Sequence, residues 1–267
     1  MSAIHSSAYI HETAQIADNV EIQPFSYIGP DVKIEKGVKI FSGAHLEYCE
    51  IGENTSISTG AVIGTPPQDV GYKNESSKVI IGQNSQIREH VTVNRASGNG
   101  NSTDIGDNCM LMTGVHVAHN CKLGNNVILA NLVTLAGHVH VGEFAFIGGM
   151  VVVHQNVRIG EMVIMGGFSG TRQDIPPFAK TDGRPARIVG TNVLGLRRRG
   201  LSQDERTAVK NAYKYVWFSD LTTHQALEKI ENEIPTNIYV EKLVEFIQTS
   251  KRGVTKLSGK QETETDF

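Results

Sequence analysis

The sequence predicts a mainly β protein, a solenoid of short strands followed by a small α-helical region. The first observation is an aliphatic residue at every sixth position: Ile105, Leu111, Val117, Leu123, Leu129, Leu135, Val141, Ile147, Val153, Ile159 and Met165. A period of six is a multiple of the strand period of two and fits no helical period. The second observation is a small or β-branched residue two positions before most of these. The third is helical spacing of apolar residues, which begins only near residue 202.

The same period opens the chain, so most of the sequence belongs to one repeat. Its aliphatic positions there are Ile4, Ile10, Ile16, Ile22, Ile28, Ile34, Ile40 and Leu46, and after one dropped residue Ile51, Ile57 and Ile63. No single hexad can bury its apolar side, but stacked coils can. Two excursions, 64–80 and 94–104, interrupt the repeat. Insertions in a solenoid project from one face, so we expect binding loops.

Composition narrows the class of protein. The chain has 267 residues and a formal net charge of −3, which argues against a protein built for nucleic acid or an anionic membrane. The three cysteines are Cys49, Cys109 and Cys121. An odd count without a secretory leader predicts a reducing cytoplasm. No apolar run approaches the 18 residues of a membrane span.

The repeat resembles the hexapeptide-repeat family, because an aliphatic residue followed by Gly recurs on the period, as at Ile28-Gly29, Ile51-Gly52, Ile81-Gly82 and Ile105-Gly106. The resemblance implies a left-handed parallel β-helix of triangular section over residues 1–190, with three hexads to a coil. A β-sandwich would not keep this period. We expect a helical C-terminal domain over 191–255 and a disordered tail over 256–267.

Histidines fall in register on such a coil. Residues 18 apart stack about one strand spacing, ~4.8 Å, from each other. Counted from His119, His138 and His154 each fall within one residue of this row, so the three line one corner or edge of the prism. None occupies an aliphatic position, so we expect their side chains to face outward. Three interpretations stay open here. They are a solvated structural ladder, metal ligation as in carbonic anhydrases of this architecture, and general-base catalysis with the Gly137 N–H as oxyanion donor.

Helical signals take over in the C-terminal region. Ser202 to Glu205 forms a capping box, and apolar residues follow at helical spacing. Further helices are expected near Thr223–Glu231 and from about Asn237 to Thr249. Before the first helix, Arg197 to Arg199 form a candidate anion site, because guanidinium groups grip phosphate or carboxylate.

Taken together, the motifs resemble those of one family. They are Gln68-Asp69, His116-Val-Ala-His119, Leu135-Ala-Gly-His138, Gly148-Gly-Met-Val-Val-Val-His-Gln155, Gln173-Asp-Ile-Pro-Pro177 and Gly195-Leu-Arg-Arg-Arg-Gly200. The chain resembles, over residues 1–255, the bacterial UDP-N-acetylglucosamine O-acyltransferases that open lipid A synthesis. The resemblance implies a cytoplasmic homotrimer with sites between neighbouring prisms. An (R)-3-hydroxyacyl group would move from acyl carrier protein to the sugar 3-position.

The resemblance also assigns roles, and it implies no metal and no cofactor other than the carrier's phosphopantetheine thioester as co-substrate. His119 matches the general base, and Gly137 the oxyanion donor. The matching substrate-binding positions are Gln68, Asp69, His116, His138, His154, Gln155, Gly167, Asn192, Arg198 and Arg199. Among these, Gly167 matches a position that limits acyl length, and as Gly it would admit a longer chain.

The chain departs from the family in three places. Asn120 follows the catalytic His where Asp is common, which matters little if the neighbour orients His119 through its backbone carbonyl. Gly71 stands where many members have Lys, and Asn94 where many have His. These changes leave open the 3-amino sugar, with an amide product. Two alternatives are less consistent with the sequence. The later N-acyltransferase of the pathway carries an extra N-terminal domain, whereas the hexads here begin at Ile4. A metal hydratase of the carbonic anhydrase type would need neither the arginine cluster nor the helical region.

Overall fold

The repeat folds into a parallel β-solenoid whose successive strands visit three sheets in turn. The computed structural model describes residues 2–235 and 237–257. Strands are numbered in chain order. Sheet one contains β1 Ala3–Ile4, β4 Glu21–Ile22, β7 Lys39–Ile40, β10 Ser56–Ile57, β13 Gln86–Ile87, β16 Met110–Leu111, β19 Ile128–Leu129, β22 Phe146–Ile147, β25 Ile164–Met165, β27 Ala179–Asp182 and β28 Arg187–Thr191.

Sheets two and three complete the triangle. Sheet two contains β2 Tyr9–Ile10, β5 Tyr27–Ile28, β8 His45–Leu46, β11 Val62–Ile63, β14 Thr92–Val93, β17 His116–Val117, β20 Thr134–Leu135, β23 Val152–Val153 and β26 Gly170–Thr171. Sheet three contains β3 Gln15–Ile16, β6 Val32–Ile34, β9 Cys49–Ile51, β12 Lys78–Ile81, β15 Ser102–Ile105, β18 Lys122–Leu123, β21 His140–Val141 and β24 Arg158–Ile159. Pairing is parallel except between β27 and β28.

The aliphatic positions form the core, as the period predicts. Ile22 to Met165 on this period are each no more than 4% exposed, and aliphatic residues stack on aliphatic residues, as in the pairing of Leu111 with Leu129. Ile4 is 44% exposed, because its strand β1 is at the edge of sheet one, where it pairs with β4. Cys49, Cys109 and Cys121 are buried free thiols.

Each corner of the triangle needs a residue in the left-handed backbone region. We name the corners by what they carry: the histidine corner joins sheet two to sheet three, the apolar corner joins sheet one to sheet two, and the helical corner joins sheet three to sheet one. Asn often fills the left-handed position, as at Asn120 (φ 60°) and Asn126 (φ 58°). Asn tolerates this conformation, whereas bulky residues are strained in it by about 1–2 kcal/mol.

Bulky residues nevertheless occupy some of these positions, and at two of the corners they form columns. The helical corner has Phe144, Met162 and Phe178 at positive φ, and the apolar corner has Leu132, Met150 and Phe168. The C-terminal region packs on the first column: Phe178 is fully buried and its ring meets that of Tyr239. The second column stays open, with Leu132 51%, Met150 48% and Phe168 72% exposed.

Four helices follow the solenoid: α1 Val193–Arg198, α2 Gln203–Trp217, α3 Thr223–Glu233 and α4 Ile238–Gln248. The capping box at Ser202 and Glu205 is present, and α3 and α4 lie close to their predicted ranges. The sequence patterns did not predict α1. The three arginines were expected before the first helix, but they lie in α1 and at its C-terminal end. None of the helices in the described part of the chain is long and apolar enough to cross a membrane.

A buried carboxylate fastens the helices to the solenoid. Asp174 is fully buried and accepts hydrogen bonds from the Arg158 N–H (2.8 Å) and Ser250 Oγ (2.8 Å). The chain then returns to the sheets, since Leu257 bridges to Ile188. Residues 256 and 257 of the predicted tail are therefore paired with the solenoid, and residues 258–267 of it lie outside the described residues.

Candidate active site

Both loop excursions leave the solenoid at the histidine corner. They span 64–77, between β11 and β12, and 94–101, between β14 and β15. Each loop therefore follows a strand of sheet two and precedes a strand of sheet three. His119 lies in the same connection one coil later, between β17 and β18. The topology thus collects the two insertions and the predicted base at one edge of the prism.

His119 is enclosed, although we expected it to face outward as a corner residue. It lies outside the hydrophobic core yet is only 7% exposed. Its Nδ1 lies 2.9 Å from Asn120 Oδ1, and its ring meets that of His138 edge-on with centroids 5.2 Å apart. The other ring nitrogen, Nε2, faces Gly137: a Cβ built on this glycine would lie 2.5 Å from it. The ring therefore fills the space that a side chain at position 137 would take.

The Gly137 N–H is a bare donor beside this imidazole. Within residues 2–235 and 237–257 no oxygen accepts it, whereas the adjoining His138 N–H donates to the His119 carbonyl oxygen at 3.0 Å. An unpaired N–H next to an imidazole nitrogen is the arrangement that stabilises an oxyanion formed by attack of a nucleophile.

Asp69 is tied to the same assembly. Its Oδ2 accepts a hydrogen bond from Ser97 Oγ at 2.7 Å, and its Oδ1 accepts one from the Gly71 N–H at 2.9 Å. These hydrogen bonds lower the pKa of the Asp69 carboxyl, and nearby His119 and His138 act in the same direction. Burial, and then the neighbouring His119, lower the pKa of His138. At neutral pH the site thus combines a carboxylate with a neutral imidazole at position 138.

A buried arginine braces the two loops. The Arg95 guanidinium donates to the Gly64 carbonyl oxygen (2.7 Å), to Glu47 Oε1 (3.1 Å) and to Tyr72 Oη (3.1 Å). It also lies over the Tyr48 ring, 4.4 Å from its centroid. Arg95 comes from the second loop, while Gly64 and Tyr72 belong to the first, so this side chain sets the position of the loop that carries Asp69.

The other residues predicted for this corner make separate contacts. His116 lies on β17, and its Nδ1 is 2.7 Å from Thr92 Oγ1. Burial lowers the pKa of His116. His154 and Gln155 lie two coils further along, both exposed, with His154 Nδ1 3.2 Å from the Gln155 main-chain carbonyl oxygen. Gln68 is exposed on the first loop. The predicted row therefore exists as a corner, but only its first two histidines touch.

Four predicted residues lie away from this corner in a single chain. Gly167 is exposed at the apolar corner, between β25 and β26. Arg198 ends α1, and the Arg199 guanidinium lies 3.7 Å from the centroid of the Phe144 ring at the helical corner.

Asn192 is buried among main-chain partners. Its Nδ2 donates to the Met162 carbonyl oxygen at 2.8 Å, and its Oδ1 accepts from the Gly195 N–H at 2.9 Å. The Asn192 side chain caps the N-terminus of α1. Its contact with substrate remains a prediction.

Asn120 was expected to matter little if it orients His119 through its backbone carbonyl. His119 contacts the side-chain oxygen of Asn120 and not its backbone carbonyl, because a hydrogen-bonded pair with Ser97 turns the amide toward the ring. Sequence reasoning missed both Ser97 and Arg95. Each lies in a loop without periodicity, so only the folded chain shows what it contacts. Within the described residues, no group of three His, Cys, Asp or Glu side chains is placed to hold a metal ion.

Three family models match parts of the chain. The family model described as "Udp N-acetylglucosamine O-acyltransferase; Domain 2" matches residues 174–255, and "Bacterial transferase hexapeptide (six repeats)" matches residues 102–137. A model of the GMPPB C-terminal domain matches residues 4–98. The acyl-[acyl-carrier-protein]–UDP-N-acetylglucosamine O-acyltransferase of Thermodesulfovibrio yellowstonii is 45% identical over 258 residues, 96% of this chain and 100% of the relative.

Solved structures give the same result. The UDP-N-acetylglucosamine acyltransferase of Bacteroides fragilis has a TM-score of 0.92 at 41% identity, covering 95% of this chain and 100% of that one. The enzyme of the same description from Francisella novicida also has a TM-score of 0.92, at 34% identity, covering 96% of this chain and 95% of that one.

Proposed function

Since this chain belongs to the acyl-[acyl-carrier-protein]–UDP-N-acetylglucosamine O-acyltransferase family, we propose that His119 is the general base of its acyl transfer. The chain moves an acyl group from acyl carrier protein to UDP-N-acetylglucosamine. We propose further that the group is an (R)-3-hydroxyacyl chain, that the acceptor is the sugar 3-hydroxyl, and that the reaction opens lipid A synthesis in the cytoplasm. The observation that carries the role of His119 is its Nε2 beside the bare Gly137 N–H.

The proposed chemistry follows from these two groups. His119 Nε2 takes the proton of the sugar 3-hydroxyl as its oxygen attacks the thioester carbonyl carbon. The carbonyl oxygen becomes an oxyanion, which accepts a hydrogen bond from the Gly137 N–H. When the C–S bond breaks, the imidazolium returns its proton to the leaving thiolate of the carrier. An ester and a free thiol result, and His119 is again neutral.

The acceptor would bind between the first loop and the two histidines. The Asp69 carboxylate, already held by Ser97 and Gly71, has lone pairs left for sugar hydroxyls. His138, edge-on to His119, is placed to contact the same sugar. Gln68, His116, His154 and Gln155 are assigned to the sugar, the acyl chain and the nucleotide or pantetheine by resemblance to the family.

We also propose that the chain works as a homotrimer of left-handed coils. Leu132, Met150 and Phe168 form a strained and exposed apolar column, and such a patch is typical of a surface that another protein covers. Gly167, beside this column, is on a different corner from His119. In a closed ring the apolar corner of one copy meets a different surface of the next. If that surface is the histidine corner, each site is built from two chains.

Mixed trimers test this division. His119→Ala removes the base at one corner, and Gly167→Trp blocks the acyl channel at the other, so each homotrimer should be inactive. Co-expression should restore transfer, because some interfaces join an intact His119 to an intact Gly167. Absence of any recovered activity in confirmed mixed trimers would show that both residues act within one chain.

Acceptor identity is tested with a substrate panel. The enzyme would be given (R)-3-hydroxyacyl carrier proteins of several chain lengths, with UDP-N-acetylglucosamine or its 3-amino analogue. We expect ester formation on UDP-N-acetylglucosamine, and longer acyl chains accepted because Gly167 has no side chain. Amide formation on the amino sugar alone would contradict the proposal and would point to Gly71 and Asn94 as the determinants.

A further inference from the structure

Asn120 and Ser97 form a paired hydrogen-bond contact next to the proposed base. The Ser97 N–H donates to Asn120 Oδ1 at 2.9 Å, and Asn120 Nδ2 donates to the Ser97 carbonyl oxygen at 3.0 Å. The Asn120 backbone is fixed as well, since its N–H donates to the fully buried Thr103 Oγ1 at 2.8 Å.

This pairing determines which way the amide points. A main-chain N–H can only donate and a main-chain carbonyl can only accept. The Asn120 oxygen must therefore face the Ser97 N–H, and its NH₂ group must face the Ser97 carbonyl. Turning the amide over would set donor against donor and acceptor against acceptor.

The fixed amide in turn determines the protonation of His119. The atom 2.9 Å from His119 Nδ1 is Asn120 Oδ1, and an amide oxygen has no proton to give. Nδ1 must carry the proton, so Nε2 keeps its lone pair. Nε2 is the nitrogen that faces Gly137. The contact between His119 Nδ1 and the neutral Asn120 amide thus leaves Nε2 as the basic nitrogen that faces the reacting atoms.

We infer that Asn120, clamped by the Ser97 main chain, is a positioning residue that selects the Nδ1–H tautomer of His119. We infer also that Ser97 joins this unit to the acceptor loop through its Oγ bond to Asp69. The inference rests on the proposed function for its catalytic consequence, though not for the tautomer itself. Ser97 then has two roles. Its main chain holds Asn120, which orients the His119 ring, and its side chain holds the Asp69 carboxylate.

The neutral amide has a consequence for pH dependence. The charged or titratable groups that face His119 are Asp69 on the first loop and His138 on the next coil. Asn120 adds no charge to this set. An Asn120→Asp change places a carboxylate 2.9 Å from the ring and stabilises the imidazolium. The base then loses its lone pair at higher pH, so the acid limb of kcat/KM moves upward, by about one pH unit.

Ser97→Ala separates the two roles of Ser97. It keeps the main-chain N–H and carbonyl that clamp Asn120 and deletes only the Oγ bond to Asp69. We expect a higher KM for the UDP-sugar with an unchanged acid limb. Asn120→Leu has the converse effect: it removes the clamp, and we expect kcat to fall by about 10-fold to 100-fold, the loss typical when the hydrogen-bond partner of a metal-binding histidine is removed. A role confined to folding would move neither the acid limb nor KM selectively.

The test begins with ¹⁵N NMR of the full chain labelled at histidine, with the His119 signals assigned by their loss in His119→Gln. We expect protonated Nδ1 and pyridine-type Nε2 in the unmutated chain and in Ser97→Ala, and loss of this preference in Asn120→Leu. Protonated Nε2 in the unmutated chain would overturn the inference, whatever the enzyme's activity.

The kinetic arm uses a matched control. Asn108→Asp makes the same change at an exposed left-handed position (φ 55°) of the helical corner. We expect Asn120→Asp alone to move the acid limb, and an unmoved limb would overturn the link from Asn120 to the base. If His119→Gln kept full activity while the unmutated chain gave the expected NMR spectrum, the proposed role of His119 as the base would be rejected. The tautomer assignment would still hold.

Discussion

Gly137→Ala perturbs the proposed site without removing any functional group. The new Cβ would lie 2.5 Å from His119 Nε2 and 2.6 Å from its Cε1. Favourable contacts between such atoms are about 3.5 Å, so the ring must retreat by about 1 Å. Gly137 is outside the left-handed backbone region, so the substitution adds a clash and no backbone strain.

The displacement predicts a large kinetic effect. A shift of about 1 Å in a reacting group lowers the rate by about 100-fold. We expect kcat to fall by at least that factor, with a smaller change in KM for UDP-N-acetylglucosamine. The assay follows ester product from 3-hydroxyacyl carrier protein, together with thermal unfolding of each variant.

Gly124→Ala is the control for crowding alone. Its Cβ would meet Glu143 Cγ and the Glu143 backbone nitrogen at 2.9 Å, in the helical corner away from His119. We expect this variant to keep most of its activity, whatever its effect on stability. Gly137→Ala activity within about threefold of the unmutated enzyme would refute the placement of Nε2 at the reacting atoms.

The remaining predictions concern stability and assembly. Arg95→Met leaves the largely buried Glu47 without its arginine partner, so the free energy of unfolding measured in urea should fall by about 3 kcal/mol. KM for the UDP-sugar should rise as the first loop becomes more mobile. An unchanged midpoint of urea denaturation would contradict the role of Arg95 in bracing the loops. Phe168→Glu should dissociate the proposed trimer in sedimentation velocity, whereas Phe218→Glu, at an exposed helix end, should not. Because burial lowers the pKa of His116, the unfolded chain binds more protons below about pH 6.5, so stability falls as pH drops from 7 to 5. His116→Gln should reduce this difference in the free energy of unfolding between pH 7 and pH 5, measured by urea denaturation. An equal difference in the variant and the unmutated chain would contradict the prediction.

Periodicity predicted the scaffold because burial at every sixth position is imposed by the fold itself. Leu111 and Leu129 pair as the spacing requires, and the same arithmetic placed His119 and His138 at one corner. The capping box predicted the start of α2, because its hydrogen bonds are local.

Contacts made by irregular loops were not predictable in this way. Ser97 and Arg95 act through loop backbone whose path depends on the folded coils beneath it. The short helix α1 was missed since it begins at a capping Asn192 with Gly195 inside it, a sequence typical of a turn. His119 was expected to face outward, and only the folded chain shows the neighbours that enclose it.

The most direct test of the role of His119 is acyl transfer by His119→Ala. The imidazole would be absent while the Gly137 N–H, Asp69 and the loops stay in place. We predict that kcat falls by about 10²-fold to 10⁴-fold, the usual contribution of a general base, while the oligomeric state and thermal unfolding are unchanged. Transfer within a few-fold of the unmutated rate by the folded variant would contradict the assignment of His119 as the base.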